Sequence, residues 1–196
     1  SFLIGAAAAL KSKSRHIGFI GGQEIDLIKK FEAGYTAGAK YINPDSKVDV
    51  QYLGAAGDNA AWGSPDKAKV IANGWYAAGA DVVYTAAGGS FNGSFPVAAT
   101  IKKWAIGVDS DQFNTVPNAE WKKYILSSMV KRVDSAVFGA VKEFKDTGKI
   151  TSKAFSLKDG GVDYSTSGGF VDDIKAKLDD FKTQIIAGEI KVSETA

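Results

Sequence analysis

Asp109 stands directly after the apolar run Ala105-Ile106-Gly107-Val108. A carboxylate in that place can accept two hydrogen bonds from vicinal hydroxyls. Lys131 can donate to the same hydroxyls, or it can be an ordinary solvated lysine. Gly88 and Gly89 follow Tyr84-Thr85-Ala86-Ala87. Paired glycines there either let a ligand approach the backbone or simply turn a strand into a helix. Tyr84 and Phe91 bracket that turn, and each ring can stack on a planar ligand or fill a core. The chemistry these residues suit is reversible recognition of a small molecule with a flat ring and neighbouring hydroxyls.

Covalent chemistry is poorly provided for. His16 is the only histidine and precedes a strand, which disfavours a serine–histidine–acid triad. Gly88-Gly89-Ser90-Phe91-Asn92 misses the nucleophile elbow, because Asn92 replaces its last glycine. No Walker lysine pattern occurs, and no G-x-G-x-x-G follows the first strand. Asp109-Ser110-Asp111 begins like a calcium loop, but Phe113 stands where the third ligand belongs. Cysteine is absent, which excludes disulfides, zinc–thiolate sites and thiol catalysis. The expectation is a protein that is not an enzyme, with no catalytic residue, metal or cofactor.

Of the 196 residues, 45% are hydrophobic and 23% charged, enough to build a packed core. The net charge of +2 is too small to suggest a nucleic-acid surface. No apolar run is long enough to span a membrane. Ala6-Ala7-Ala8-Ala9-Leu10 precedes Lys11 and Lys13, whereas a signal peptide places its basic residues first. Residues 2–11 therefore read as an ordinary helix. With Ser1-Phe2-Leu3 in front, the chain is expected to start inside a larger protein.

Strand and helix patterns then alternate. Strands are expected over 17–20, 48–53, 81–85 and 105–108, with helices over 25–42, 65–78 and 95–103. Pro44 stops the first of these helices, and Ser64-Pro65 starts the second. Further on, 125–128 reads as a short strand entering a helix over 129–145. Residues 154–157 look like a strand, and 170–187 like an amphipathic helix closed by Gly188. The fold class is α/β with a parallel sheet and right-handed crossovers. Ligands bind such sheets at the carboxyl ends of the strands, which selects the loops 21–24, 54–62, 86–92 and 109–114.

Several segments together resemble the basic membrane protein family. They are His16-Ile-Gly-Phe-Ile-Gly-Gly-Gln-Glu-Ile, Phe31-Glu-Ala-Gly-Tyr, Ala86-Ala-Gly-Gly, Ile106-Gly-Val-Asp-Ser-Asp-Gln and Ser127-Ser-Met-Val-Lys-Arg-Val-Asp. The similarity runs over nearly the whole chain, including Ile185-Ile-Ala-Gly-Glu-Ile-Lys-Val. The family includes purine nucleoside receptor A lipoproteins. The resemblance implies an extracytoplasmic substrate-binding protein of an ABC transporter, lipid-anchored to the cell membrane in its full-length form. The implied ligand is a purine nucleoside of the guanosine, adenosine or inosine class, and the implied partners are the system's permease and ATPase. Carried over by position, Asp109 binds the ribose hydroxyls and Lys131 joins it. Tyr84 matches an aromatic position that stacks on the base, and Gly88 and Gly89 shape the floor. Phe91 departs from the glycine common in the family; its ring narrows the pocket or adds a second stack. Two alternatives stay open: a ligand-binding surface antigen or sensor, and a nucleoside-processing enzyme.

The resemblance also implies the type I periplasmic-binding-protein fold, two Rossmann-like lobes closing on the ligand. The N-terminal part of the first lobe would be absent from this chain. The expected division is 1–15 as the end of the N-terminal lobe and a lead-in helix, 16–126 as the C-terminal lobe, 127–157 crossing back, and 158–196 returning. Val133, Val137 and Val141 would then lack packing partners, which a missing N-terminal segment or a second chain would supply.

Overall fold

The computed structural model describes residues 1–152 and 154–195. Strands β1 (His16–Gln23), β2 (Lys47–Gly54), β3 (Val82–Ala86), β4 (Trp104–Asp109), β5 (Ile125–Lys131) and β6 (Val162–Tyr164) form one sheet in the order β2-β1-β3-β4-β5-β6. β6 runs antiparallel to β5, and the other pairs are parallel. The helices are α1 (Phe2–Lys11), α2 (Asp26–Ile42), α3 (Pro65–Ala77), α4 (Phe91–Ile101), α5 (Gln112–Thr115), α6 (Ala119–Lys122), α7 (Val133–Thr147) and α8 (Lys175–Ala187).

Alternation along the strands builds two cores. Phe19, Tyr84, Ile106 and Leu126 face one way, against Leu3 and Ile4 of α1, Tyr35 of α2, and Leu178 and Phe181 of α8. Their neighbours Ile20, Val83, Ala105 and Ile125 face the other way, against Ala68, Ala72 and Tyr76 of α3 and Phe95 of α4. β1 and β3 are buried throughout, as strands covered by helices on both faces must be.

The alanine run at the start is core. Ala6, Ala7 and Ala8 are fully buried, and α1 lies against α2 almost backbone to backbone. A Cβ on Gly5 would collide with the Tyr35 carbonyl, and one on Gly38 with the Phe2 carbonyl. Helix α1 thus packs against α2 and α8. Asp81 fixes the link to β1, accepting from Ser12 Oγ (2.5 Å) and from the Lys13 and Ser14 amides (2.7 and 2.9 Å).

Several boundaries differ from the sequence reading, among them the start of α4 at Phe91 rather than 95. β5 continues to Lys131, because Met129, Val130 and Lys131 pair with Tyr164, Asp163 and Val162. The chain therefore leaves this sheet after Lys131 rather than near 126, and α7 starts at Val133 rather than 129. Residues 154–157 form no strand; the chain turns there, with the Gly161 amide donating to the Ser156 carbonyl (2.8 Å), and pairs afterwards as β6. α8 begins at Lys175, after a 3₁₀ turn, and Gly188 at φ +79° closes it as expected.

α7 has no buried residue. Val133, Val137, Val141 and Phe144 are exposed, and Phe138 is 71% exposed. Among the described residues, no helix is long and apolar enough to cross a membrane.

Candidate functional site

β1, β3, β4 and β5 deliver their carboxyl ends to one edge of the sheet, and a pocket of about 280 Å³ opens there. Ile28 and Phe31 of α2 form one wall, and Trp62, from the 3₁₀ turn Asn59–Gly63, forms another. Ala86 and Gly88 after β3, with Val108 and Asp109 at the end of β4, supply the floor. Lys131 reaches in from the end of β5. A larger hollow of about 570 Å³ beside Phe2, Leu157 and Ile185 holds neither Asp109 nor Lys131.

The charged pair is formed by register. Asp109 lies beside Val130 in the parallel ladder, so Lys131 is the next residue along. Its Nζ sits 2.8 Å from Asp109 Oδ1 and 4.8 Å from the centre of the Phe31 ring. The Asp109 and Lys131 side chains are 53% and 36% exposed, so the pair adds little to stability, about 0.2–1 kcal/mol at most. Its value is alignment. A second carboxylate oxygen and further ammonium protons remain to bond a ligand's hydroxyls, beside aromatic faces that suit a flat ring.

Trp62 is held by buried polar groups. Gln23 donates through Nε2 to Asn59 Oδ1 and accepts at Oε1 from the Gly57 amide, both at 3.0 Å. Ser90 donates to the Ala61 carbonyl (3.0 Å) and accepts from the Ser64 amide (2.9 Å). A Cβ on Gly22 would run into the Trp62 ring, so the indole lies directly over the β1 backbone. Gly88, at φ +54°, packs against the Trp62 carbonyl, a place a side chain would fill. The close-approach reading of this glycine therefore has a structural basis, though what approaches is protein as well as pocket.

The expected residues do not all meet. Gly88, Asp109 and Lys131 line the pocket, and Gly89 lies exposed just outside it. Tyr84 is fully buried one strand pitch below, its ring 5.4 Å from Phe19 and 5.3 Å from Tyr35. Burial pushes its hydroxyl well above the usual tyrosine range, against a hydrogen bond with Ser1 that acts the other way. Phe91 packs against Phe95 (5.0 Å) on the side of α3 and α4. Neither ring lines the pocket, whereas Phe31 and Trp62 do. Trp62 ends the loop selected by the sheet rule, and Phe31 lies on the helix that follows another selected loop, which was the available signal.

Ser90 and His16 are far from forming a catalytic pair. The Ser90 hydroxyl is buried and engaged, while His16 begins β1 at the opposite edge, its Nε2 2.6 Å from Asp49 Oδ2. Among the described residues, no group of three or more histidine, cysteine or acidic side chains is placed to hold a metal.

The family described as ABC transporter substrate-binding protein PnrA-like matches residues 1–196. An ABC transporter nucleoside-binding protein BmpA of Lactococcus lactis is 39% identical over 98% of the chain. A CD4+ T-cell-stimulating antigen of Listeria monocytogenes is 38% identical over 99% of it. The chain spans 57% of the length of each. Among solved structures, a solute-binding protein of an ABC transporter system from Conexibacter woesei superposes over 98% of this chain and 62% of its own, with TM-score 0.77 and 19% identity. A Bacillus halodurans protein described as a transcriptional activator of the comK gene gives TM-score 0.78 at 26% identity, over 94% of this chain and 61% of its own. The fold is thus the α/β fold of type I solute-binding proteins, and the chain belongs to the basic membrane protein family of PnrA-like ABC transporter substrate-binding proteins.

Proposed function

We propose that the chain is the gripping lobe of an extracytoplasmic solute-binding protein that captures purine nucleosides for ABC-transporter uptake. The observation that carries the reading is the Asp109–Lys131 pair facing Phe31 and Trp62 across one pocket. Asp109 accepts from the ribose hydroxyls and Lys131 donates to them. Phe31 and Trp62 sandwich or edge the base, in the place first expected for Tyr84. Gly88 leaves the floor low, with Gly89 at its rim. The step is binding without covalent change.

The rest of the whole protein completes the cleft. α7 carries an apolar stripe that belongs in a core, and exposing its Val133, Val137 and Phe138 costs about 1.5–3 kcal/mol each. We assign that stripe to the opposing lobe, with the crossings at Lys131–Val133 and near Gly161. There the Arg132 amide donates to the Gly161 carbonyl (2.8 Å), so the two connections lie side by side as a hinge requires. A lipid anchor on the remainder, and a permease and ATPase as partners, follow from the transport reading.

The test is calorimetric titration of the full-length protein with guanosine, adenosine, inosine and ribose. Binding of a nucleoside at micromolar strength or better, with ribose alone far weaker, supports the reading. A second reading, a surface antigen that binds without feeding a permease, takes its support from the name of the Listeria relative. Loss of nucleoside uptake in a deletion strain separates transport from that alternative.

A further inference from the structure

We infer that Gln112 is the positioning residue for the Asp109 carboxylate, bracing a strained turn that aims it at Lys131. The functional meaning of the brace rests on the nucleoside reading; the brace itself does not.

Asp109 has φ +67°, a left-handed conformation that a non-glycine residue adopts at a cost. The Ser110 amide donates to the Val108 carbonyl at 2.8 Å, closing a three-residue γ-turn with Asp109 at its tip. Such a turn persists only where its surroundings hold it. Gln112 does so from both ends of its residue. Its side-chain Oε1 accepts from the Val108 amide (3.1 Å), and its own amide donates to Ser128 Oγ (3.1 Å). Gln112 is 4% exposed and Ser128 fully buried, so no water substitutes readily for either bond.

The space is reserved for this arrangement. A Cβ on Gly107 would collide with Gln112 Oε1 and Ser128 Oγ together. The next residue is tethered as well: Asp111 Oδ2 accepts from Ser167 Oγ (2.5 Å) and Asn114 Nδ2 (2.7 Å). The loop can therefore not relax by sliding along the sheet edge. Without the Gln112 oxygen, the Val108 amide loses its partner, and Asp109 is free to return to extended angles that point its carboxylate away from Lys131.

The test compares inosine with hypoxanthine on the full-length protein. The variants are Gln112→Met, Gln112→Glu, Asp109→Asn and the double Gln112→Met/Asp109→Asn. Gln112→Met should weaken inosine about tenfold or more and hypoxanthine less than about threefold, because only inosine carries ribose. Gln112→Glu, which keeps an accepting oxygen, should stay within about threefold of wild type. In the Asp109→Asn background, Gln112→Met should add less than about threefold, since the two act through one carboxylate. Equal losses for inosine and hypoxanthine, or the same loss with and without Asp109, would assign Gln112 a merely structural role and overturn the inference. If wild type binds neither ligand, the nucleoside reading fails separately, and amide exchange still decides the brace. Exchange at Val108 and Ser110 should then be about tenfold faster in Gln112→Met, relative to Val83, and unchanged rates overturn it.

Discussion

Lys131 Nζ and Asp109 Oδ1 are 2.8 Å apart because β4 and β5 end together: Asp109 pairs with Val130, and Lys131 is the following residue. A parallel ladder thus brings an acid and a base to one edge of the sheet, where the γ-turn at Asp109 aims the carboxylate. Replacing Asp109 with Ala should weaken nucleoside binding by about 2–4 kcal/mol, through loss of charge-assisted bonds to both hydroxyls. Thermal stability should change by under about 1 kcal/mol, because the pair is partly exposed. Calorimetry and a melting curve on one preparation measure both.

Lys131→Met should lower nucleoside affinity about tenfold and leave free purine base within about threefold. Equal effects on nucleoside and base would place the ammonium at the base rather than at ribose.

The two aromatic positions separate cleanly. Trp62→Ala should weaken nucleoside and free base alike, by about 1–3 kcal/mol, because its ring faces the pocket. Tyr84→Phe should leave affinity within about twofold, because the hydroxyl removed is buried and lies outside the pocket lining. A large affinity loss in Tyr84→Phe would return that residue to the site.

Much of this arrangement was legible in the sequence. Alternating strand and helix patterns fixed a parallel sheet, and the rule for its carboxyl ends chose the loops that bear Gly88, Asp109 and Trp62. What the pattern could not supply was depth. Tyr84 and Ala86 lie on the same face of β3, one pitch of about 6–7 Å apart, and only Ala86 reaches the pocket. Trp62 enters because Gln23 and Ser90 hold its turn over β1, and those contacts are long-range. The end of β5 was misplaced for a related reason: Met129-Val130-Lys131 suits strand and helix alike until β6 is there to pair with it.

α7 makes a prediction about the whole protein. If its stripe packs into the opposing lobe, Phe138→Ala should cost about 3–5 kcal/mol in full-length denaturation, as for any core phenylalanine. A change within about 0.5 kcal/mol, the usual surface value, would leave the stripe uncovered.

Acid should loosen the edge of the sheet at His16. Burial pushes the Asp49 carboxyl up, but hydrogen bonds from His16 and Lys47 outweigh it and hold the group below the usual carboxylate range. A carboxyl depressed on folding adds stability above its unfolded pKa of about 3.9, and that stability is lost as pH falls through the folded value. Asp49→Asn should therefore flatten the stability curve below about pH 4 and leave nucleoside affinity at neutral pH unchanged. Urea titrations at a series of pH values measure the slope.

The most direct test of the central claim is titration of the full-length protein with inosine, beside the Asp109→Ala variant. Saturable binding in wild type, with one site and a Kd in the micromolar range or below, and at least about thirtyfold weaker binding in the variant, is the predicted result. Equal affinity in the two proteins, or no binding to wild type, would contradict a ribose grip built on Asp109 and Lys131.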